Sequence, residues 1–276
     1  MTLLERNTFF KAGIVFCLII TLLITVISIL IIPFYPQMEA ASRRPSFIFQ
    51  VISGLFLDNN YLAVHVSLIL TILYSFTGMI LIHSFFERTS APEILYISLF
   101  TFSFSFEIIR FILPLHLIYT FPVYYLLGAS KILLFARYFG IFALFIASVC
   151  AAGLEIQKTR NIIFILIISA LLVILGIPVD TQNWDTSFIF RNGYTSILKM
   201  IETAVFIASV VTFFVAAKVR DSREYAYAGI GVFLALAGRN ILLGTDNWAG
   251  PVLGIILLSS GTWFICSKIH KIHLWL

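Results

Sequence analysis

Apolar residues occur in long uninterrupted runs along this chain, and polar residues are grouped in the short connections between the runs. The first run, residues 12–35, carries no charge and is longer than the roughly 20 residues that a helix needs to cross a bilayer. It lacks a small-residue cleavage site, so we interpret it as a retained span. The complete pattern predicts eight transmembrane helices, at about residues 12–35, 61–83, 93–113, 129–153, 161–179, 194–217, 225–243 and 249–267.

The remaining segments are too short for a separate folded domain, so residues 1–276 are predicted to form a single transmembrane domain. The longest connection, residues 36–60, contains the sequence SFIFQVISGLFLD, which is typical of a short amphipathic helix at the outer membrane interface. In span seven, the small residues Ala228, Gly231, Ala235 and Gly238 share one helix face. That face predicts close packing against a neighbouring helix.

Composition agrees with this fold class, an all-α polytopic membrane protein. Hydrophobic residues make up 61% of the chain and charged residues 11%, with a mean hydropathy of +1.04. We expect an integral, multi-pass protein of a bacterial inner membrane, with the lipid bilayer as its first partner. The net charge of +5 is explained by attraction between the inside loops and anionic lipids, so no nucleic-acid partner is expected.

The distribution of Lys and Arg predicts the orientation of the chain. A cytoplasmic N-terminus leaves three basic residues in the outside loops: Arg43, Arg44 and Arg191. It leaves ten on the inside: Arg6, Lys11, Arg88, Lys158, Arg160, Lys218, Arg220, Arg223, Lys268 and Lys271. Because basic residues concentrate on the cytoplasmic side, both termini are predicted to be cytoplasmic.

Residues 111–130 are the ambiguous part of this topology, because they are uncharged and long enough for a ninth span. A ninth span would turn the later basic connections outward, against the charge rule. Pro114 and Pro122 suit a broken or re-entrant segment better. We therefore keep eight spans.

The stretch FTFSFSFEIIRF, residues 100–111, alternates in the manner of a strand but lies between long apolar runs. As a helix, it places Ser103, Glu107, Arg110 and Pro114 on one face and lets its phenylalanines meet lipid. A charge in hydrocarbon costs about 2.5–3.5 kcal/mol on insertion scales, so such residues usually face a protein interior. Glu107 and Arg110 are spaced to pair within the helix, as are Lys199 and Glu202 in span six.

Counting residues along each span places the ionisable groups at one depth, in the outer third of the bundle. The formal charges at this depth are five cations (Arg110, Lys131, Arg137, Lys199 and Arg239) and three anions (Glu107, Glu202 and Asp246). The predicted pocket is thus net-positive and would suit a small anionic or lipid ligand. Its candidate ligand-binding residues are Glu107, Arg110, Lys199, Glu202, Arg239, Arg137, His65 and Tyr124.

Simpler interpretations of the same residues stay open. The two charge pairs could fix helix register without binding anything, Lys131 could reach the outer headgroups, and His65 and His116 could be interfacial histidines. Cys17, Cys150 and Cys266 suggest neither a disulfide nor a metal site. No catalytic residues, metal ligands or cofactor are predicted, because the sequence lacks the zinc, nucleophile-elbow and phosphate-loop motifs.

Three function classes fit this pattern. The one-sided polar layer above apolar inner halves favours a sensory, receptor-like module that binds a ligand and signals through a protein partner at its cytoplasmic face. A transporter or permease subunit for a small anionic or polar solute is the alternative, although it would need polar groups near the midplane. An intramembrane enzyme acting on a lipid is the third possibility, with Glu107, Glu202, His65 and His116 as sources of acid and base.

Overall fold

The computed structural model describes residues 3–34, 61–87, 89, 91–153, 159–185 and 187–274. The α-helices in these ranges are α1 (Leu3–Ile31), α2 (Tyr61–Phe86), α3 (Pro92–Ser103), α4 (Ile112–Tyr119), α5 (Val123–Ala151), α6 (Thr159–Leu175), α7 (Thr195–Val219), α8 (Arg223–Gly244) and α9 (Ala249–Leu274). A 3₁₀ segment, Phe104–Phe111, joins α3 to α4, and a short one, Ile32–Phe34, follows α1. Strands β1 (Val179–Trp184) and β2 (Phe190–Asn192) form a hairpin between α6 and α7.

The predicted all-α polytopic membrane bundle is confirmed. Within the described ranges, seven helical segments are long and apolar enough to cross a membrane, and α3, the 3₁₀ segment and α4 together provide one of them. Helix α6 is also apolar and, at 17 residues, lies at the short limit of a span. The span that begins with α3 is the most enclosed, whereas α1 and α7 leave most of their residues on the lipid-facing surface.

The two ends of the bundle are identified by polar contacts between helix termini. Arg6, at the start of α1, donates to the carbonyl oxygens of Phe86 (2.5 Å) and Thr89 (2.6 Å). Glu224, at the start of α8, accepts a hydrogen bond from Lys271 near the end of α9 at 2.7 Å. We call this the terminal end and the opposite one, which carries β1 and β2, the hairpin end. The predicted cytoplasmic location of the terminal end stays a prediction.

Residues 111–130 form two helix ends joined by a tight turn, rather than a ninth span or a re-entrant segment. Helix α4 continues to Tyr119, Thr120 adopts a left-handed conformation (φ 46°), and α5 begins directly after Pro122. Pro114 lies in the first turn of α4, where the hydrogen-bonding pattern changes from 3₁₀ to α and a missing N–H is tolerated. The third and fourth spans are therefore longer at this end than the predicted limits of residues 113 and 129.

Helices α8 and α9 approach each other through glycines. A Cβ atom built on Gly238 would lie 2.4 Å from the backbone nitrogen of Leu258, and one on Gly261 would lie 2.4 Å from that of Ala235. No side chain fits at such distances, so the two backbones are in direct contact. The close-packing face predicted for this helix is confirmed.

The hairpin was not predicted. Its strands pair antiparallel, with Val179 opposite Asn192, and the register shifts between Asp180 and Trp184. Phe188, near the tip, has a positive φ of 55°, is buried, and stacks on Tyr61 with ring centroids 5.6 Å apart. The tip therefore plugs the end of the bundle. The predicted interfacial helix of residues 36–60 lies outside the described residues.

Candidate functional site

The best-connected charged residue of the bundle is Glu107, in the 3₁₀ segment. Both of its oxygens accept hydrogen bonds from Arg137 of α5, from Nε and from Nη2, each at 2.7 Å. This is the two-pronged geometry that guanidinium groups form with carboxylates. The side chain of Glu107 is 2% exposed and that of Arg137 is 16% exposed, so the pair is nearly removed from solvent and lipid.

Arg110, one 3₁₀ turn further on, has a different partner. Its Nη1 atom lies 3.6 Å from Glu107, so the predicted pairing of these two residues is present, but as the weaker contact. Its Nε donates to the carbonyl oxygen of Ser187 at 2.8 Å, and its Nη2 donates to the same oxygen. Nη1 has no hydrogen-bond partner among the described residues. The hairpin tip is thus held by a buried arginine.

A second pair extends this cluster onto two more helices. Arg239 of α8 is hydrogen-bonded to Glu202 of α7 and donates to the side-chain oxygen of Asn240 at 2.9 Å. Arg239 also interacts electrostatically with Glu107, and Asp246 interacts with Arg110. We call these six residues the arginine network: Glu107, Arg110, Arg137, Glu202, Arg239 and Asp246. Their formal charges, three positive and three negative, cancel.

A small cavity adjoins the network beneath the hairpin tip. Its volume is about 20 Å³, and its polar lining comes from Arg110, Ser130, Arg137 and Asn192. The side-chain oxygen of Asn192 is buried and has no hydrogen-bond partner in the described part of the chain. A water molecule needs at least about 10–15 Å³ of such space, so the cavity is of a size for water and too small for an organic ligand unless the tip moves.

Five of the predicted site residues come together as expected, but Lys199 does not. It is exposed on α7, and Glu202 pairs with Arg239 instead of with Lys199. Leu198 and Glu202, four residues apart, share the inward face of α7, and Lys199 lies beside that face. The predicted excess of positive charge is therefore absent from the arginine network itself, because Lys131 and Lys199 are outside it.

His65 and Tyr124, the other two predicted site residues, have aromatic contacts. His65 is buried against the edge of Phe111, with ring centroids 5.0 Å apart. Tyr124 is 65% exposed and contacts Tyr125. Together with the exposed Tyr119 and Tyr194, these rings resemble the aromatic belt that membrane proteins place at an interface. Lys131 reaches the carbonyl oxygen of Leu175 at 3.4 Å.

The predicted outward-facing phenylalanines are only partly outward. Phe102 and Phe106 contact Phe16 of α1 near the surface, whereas Phe100 and Phe104 are buried. The alternating residues therefore lie in two environments, with Phe102 and Phe106 near the surface and Phe100 and Phe104 in the core. No cluster of three or more His, Cys, Asp or Glu side chains suitable for a metal occurs among the described residues. The three cysteines are free and buried.

The hairpin contributes the Ser187 carbonyl and Asn192 to the site, and neither was predicted from the sequence. The carbonyl is a backbone group, which no side-chain pattern can reveal. The available signal was the polar segment between two apolar runs, VDTQNWDTS, followed by RNG. This composition is typical of strand ends and turns and would have justified a hairpin prediction.

Comparisons with known proteins give a distant similarity. No protein-family model matches the sequence. The chain is similar to an "Uncharacterized protein" of Treponema pallidum (strain Nichols), with 21% identity over 242 residues and 69% of each chain covered. The matched protein comes from a bacterium, and the location of this chain in a bacterial inner membrane stays a prediction.

Proposed function

We propose that this protein is a membrane-embedded ligand-binding module of the sensory, receptor-like type. In this proposal, a ligand acts on the arginine network at the hairpin end, and the response reaches a protein partner at the terminal end. The proposal rests on one observation: a single span carries buried charged residues at both of its ends. The segment from α3 through the 3₁₀ turn bears Glu107 and Arg110 at one end of the bundle and buried Glu93 at the other.

Glu93 connects this span to the helices of the terminal end. It is 1% exposed, lies 3.5 Å from Nε2 of His273 in α9, and interacts electrostatically with the side chain of Tyr225 of α8. Arg220, which follows α7, donates to the hydroxyl of Tyr225 at 3.1 Å. A shift of α3 along its axis would therefore disturb its contacts with α8 and α9 directly and, through Tyr225, the contact with Arg220 at the end of α7.

The 3₁₀ segment is suited to such a shift. Runs of this helix longer than three or four residues are uncommon, and long ones often mark a hinge, yet this run has eight residues. Shifts of 1–2 Å between packed helices are a common form of switching in proteins. Because Glu107 and Arg110 both belong to this run, forces on their side chains act directly on the 3₁₀ part of the span.

The interior between the two ends favours sensing over transport. A large apolar cluster fills it, and the buried serine and threonine hydroxyls of α3 donate to carbonyl oxygens of their own helix, as in Ser98 to Leu95 and Thr101 to Ile97. Hydroxyl groups satisfied in this way offer little to a solute. A transport pathway would instead use polar groups or broken helices at the midplane.

A labelling experiment tests the coupling between the two ends. A single reporter, Ser222→Cys, is placed at the terminal end, and its rate of reaction with a thiol reagent is measured in purified protein. Glu107→Gln removes one charge from the arginine network and should change this rate several-fold. An unchanged rate would contradict the proposal.

Two controls separate coupling from general loosening. Lys199→Gln removes an exposed charge at the hairpin end, outside the network, and should leave the labelling rate unchanged. Ile174→Ala weakens packing at a buried site on peripheral α6 and should also leave it unchanged. If Ile174→Ala alters the rate as much as Glu107→Gln does, the effect reflects stability and not signalling.

A further inference from the structure

We propose that Arg110 is the recognition residue for a monoanionic oxyanion, a carboxylate or a phosphodiester, and that the Ser187 carbonyl is its internal competitor. This inference rests on the proposed function, since it names the ligand class of that module. The hairpin tip then acts as a latch. When an oxyanion binds Nε and Nη2 of Arg110, it displaces the Ser187 carbonyl and releases the tip. When the anion dissociates, the carbonyl binds Arg110 again.

The donor geometry of Arg110 suits an oxyanion better than a carbonyl. The Nε and Nη2 atoms of a guanidinium form two parallel donors whose spacing matches the two oxygens of a carboxylate or phosphate. In Arg110, both donors converge on one carbonyl oxygen, that of Ser187. One oxygen cannot satisfy two parallel donors as well as two oxygens can. A bidentate oxyanion would fit this edge better than its present partner.

The charge of Arg110 also favours an anionic partner. Arg137 donates to the carboxylate of Glu107 and Arg239 to that of Glu202, so two arginines of the network have charge-assisted hydrogen bonds. The hydrogen bonds of Arg110 go to a neutral carbonyl, although Glu107 lies 3.6 Å away and Asp246 contributes at longer range. Charge-assisted hydrogen bonds are about twice as strong as neutral ones. Exchanging the carbonyl for an anion therefore strengthens the contact.

A cavity beside Arg110 gives an anion room to bind once the hairpin tip moves. Arg110 is 3% exposed, its Nη1 has no hydrogen bond in the described ranges, and it lines the 20 Å³ cavity together with Asn192 of the hairpin. Because the cavity lies directly under the tip, withdrawal of Ser187 enlarges the space beside the guanidinium edge. A two-stranded hairpin is only marginally stable without packing partners, so the position of this tip depends on its contacts with the bundle.

The opposing force comes from Phe188. Its ring stacks on Tyr61 and belongs to an apolar cluster that includes Val64 and Phe111. This anchor returns the tip to the bundle and sets the concentration of anion needed to displace it. The arginine network is formally neutral, so one bound monoanion leaves it at −1 and a dianion at −2. Monoanions are therefore preferred.

The test uses the full chain in a phosphate-free, uncharged detergent, with a fluorophore on Asn183→Cys in the hairpin. Acetate, dimethyl phosphate and phosphatidylglycerol are titrated separately. A saturable fluorescence change with acetate or dimethyl phosphate identifies a soluble oxyanion as a sufficient ligand. A change with phosphatidylglycerol alone identifies a lipid headgroup. No saturable change with any of the three would overturn the inference.

Variants assign any response to Arg110. Arg110→Gln should weaken binding at least tenfold, and Arg110→Lys should weaken it too, because a lysine keeps the charge but loses the two-pronged edge. Phe188→Ala should tighten binding, since it weakens the internal competitor, and a merely misfolded protein would not bind more tightly. Lys131→Gln and Lys199→Gln are matched charge controls and should stay within twofold of the original chain.

The outcomes are distinct from those of the coupling experiment. Anion binding that depends on Arg110 but leaves Ser222→Cys labelling unchanged would support this inference and contradict the proposed signalling. Coupling without any anion response would support the signalling and overturn this ligand class. Equal binding by Arg110→Gln and the original chain, or weaker binding by Phe188→Ala, would remove the latch.

Discussion

The Glu107–Arg137 pair offers the clearest test of how the arginine network stabilises the bundle. Arg137 gives Glu107 two hydrogen bonds of 2.7 Å, and the carboxylate side chain is 2% exposed. Removing one partner of such a buried pair costs about 3–5 kcal/mol, because a charge is left uncompensated. Arg137→Met should lower the free energy of unfolding by about 3 kcal/mol, near the lower limit of this range, because Arg110 still lies 3.6 Å from Glu107.

Glu107→Leu should cost more, about 4 kcal/mol, since it leaves both Arg137 and Arg110 without their nearest carboxylate. The double variant Glu107→Leu with Arg137→Met removes both charges of the pair together. Its loss should be well below the sum of the single losses, with a coupling energy of about 2–3 kcal/mol. Unfolding is followed by helical circular dichroism while a denaturing detergent is titrated into the purified protein.

The pair of Glu224 and Lys271 at the terminal end is the matched control. Its N–O distance is also 2.7 Å, but its side chains are 23% and 55% exposed, so its coupling energy should be about 0.2–1 kcal/mol. If the losses at Glu107 and Arg137 add to within about 0.5 kcal/mol, the two residues do not act as a pair, and the account of the network as a buried, interdependent unit is refuted.

Two further predictions concern orientation and helix packing. A membrane-impermeant thiol reagent applied from outside intact cells should label Asn183→Cys and leave Ser222→Cys unlabelled, and the reverse pattern would place the arginine network on the cytoplasmic side. Gly238→Ala should destabilise the protein by about 1–3 kcal/mol, since its Cβ would lie 2.4 Å from the Leu258 nitrogen. Gly128→Ala, with no atom within 4 Å, should be neutral or stabilising, and equal losses in the two unfolding titrations would exclude the close helix contact.

Depth in the membrane could be predicted from sequence because it depends only on counting residues along each helix. A helix rises about 1.5 Å per residue, so Glu107, Arg137, Glu202 and Arg239 could be assigned to one level without knowing their neighbours. The same count gave Lys199 the correct level. The direction of its side chain around the helix axis was not predicted. Successive residues on a helix point about 100° apart, and residues at the same depth can therefore face either the bundle or the surface.

Partner choice could not be predicted, because it depends on which helices are neighbours. Glu107 pairs mainly with Arg137, thirty residues away, and Glu202 with Arg239, thirty-seven residues away. Spacing within one helix favoured Arg110 and Lys199 instead. The apolar surfaces that bring α5 to the 3₁₀ segment and α7 to α8 show no complementarity in sequence, since every span is apolar on most of its circumference. The pairing became visible only with the tertiary structure.

The 3₁₀ segment relates the stability of the network to its proposed movement. A 3₁₀ helix has three residues per turn and rises about 2.0 Å per residue, against 3.6 residues and 1.5 Å in an α-helix. Its i, i+3 residues eclipse, which aligns Glu107 with Arg110. Over the eight residues of Phe104–Phe111, conversion to α-helix would shorten the span by about 4 Å and move Arg110 about 60° around the axis from Glu107.

These contacts oppose that conversion. The bonds from Arg110 to the Ser187 carbonyl and from Arg137 to Glu107 hold the two eclipsed residues in place. Release of Ser187 would leave the 3₁₀ geometry supported by Glu107 alone, and the hydrogen bonds of an α-helix are better aligned. With α4 held at the hairpin end by its turn into α5, any shortening must draw α3, and with it Glu93, away from His273 and Tyr225. Anion binding at Arg110 should therefore first alter the contacts of the buried Glu93 carboxylate at the terminal end.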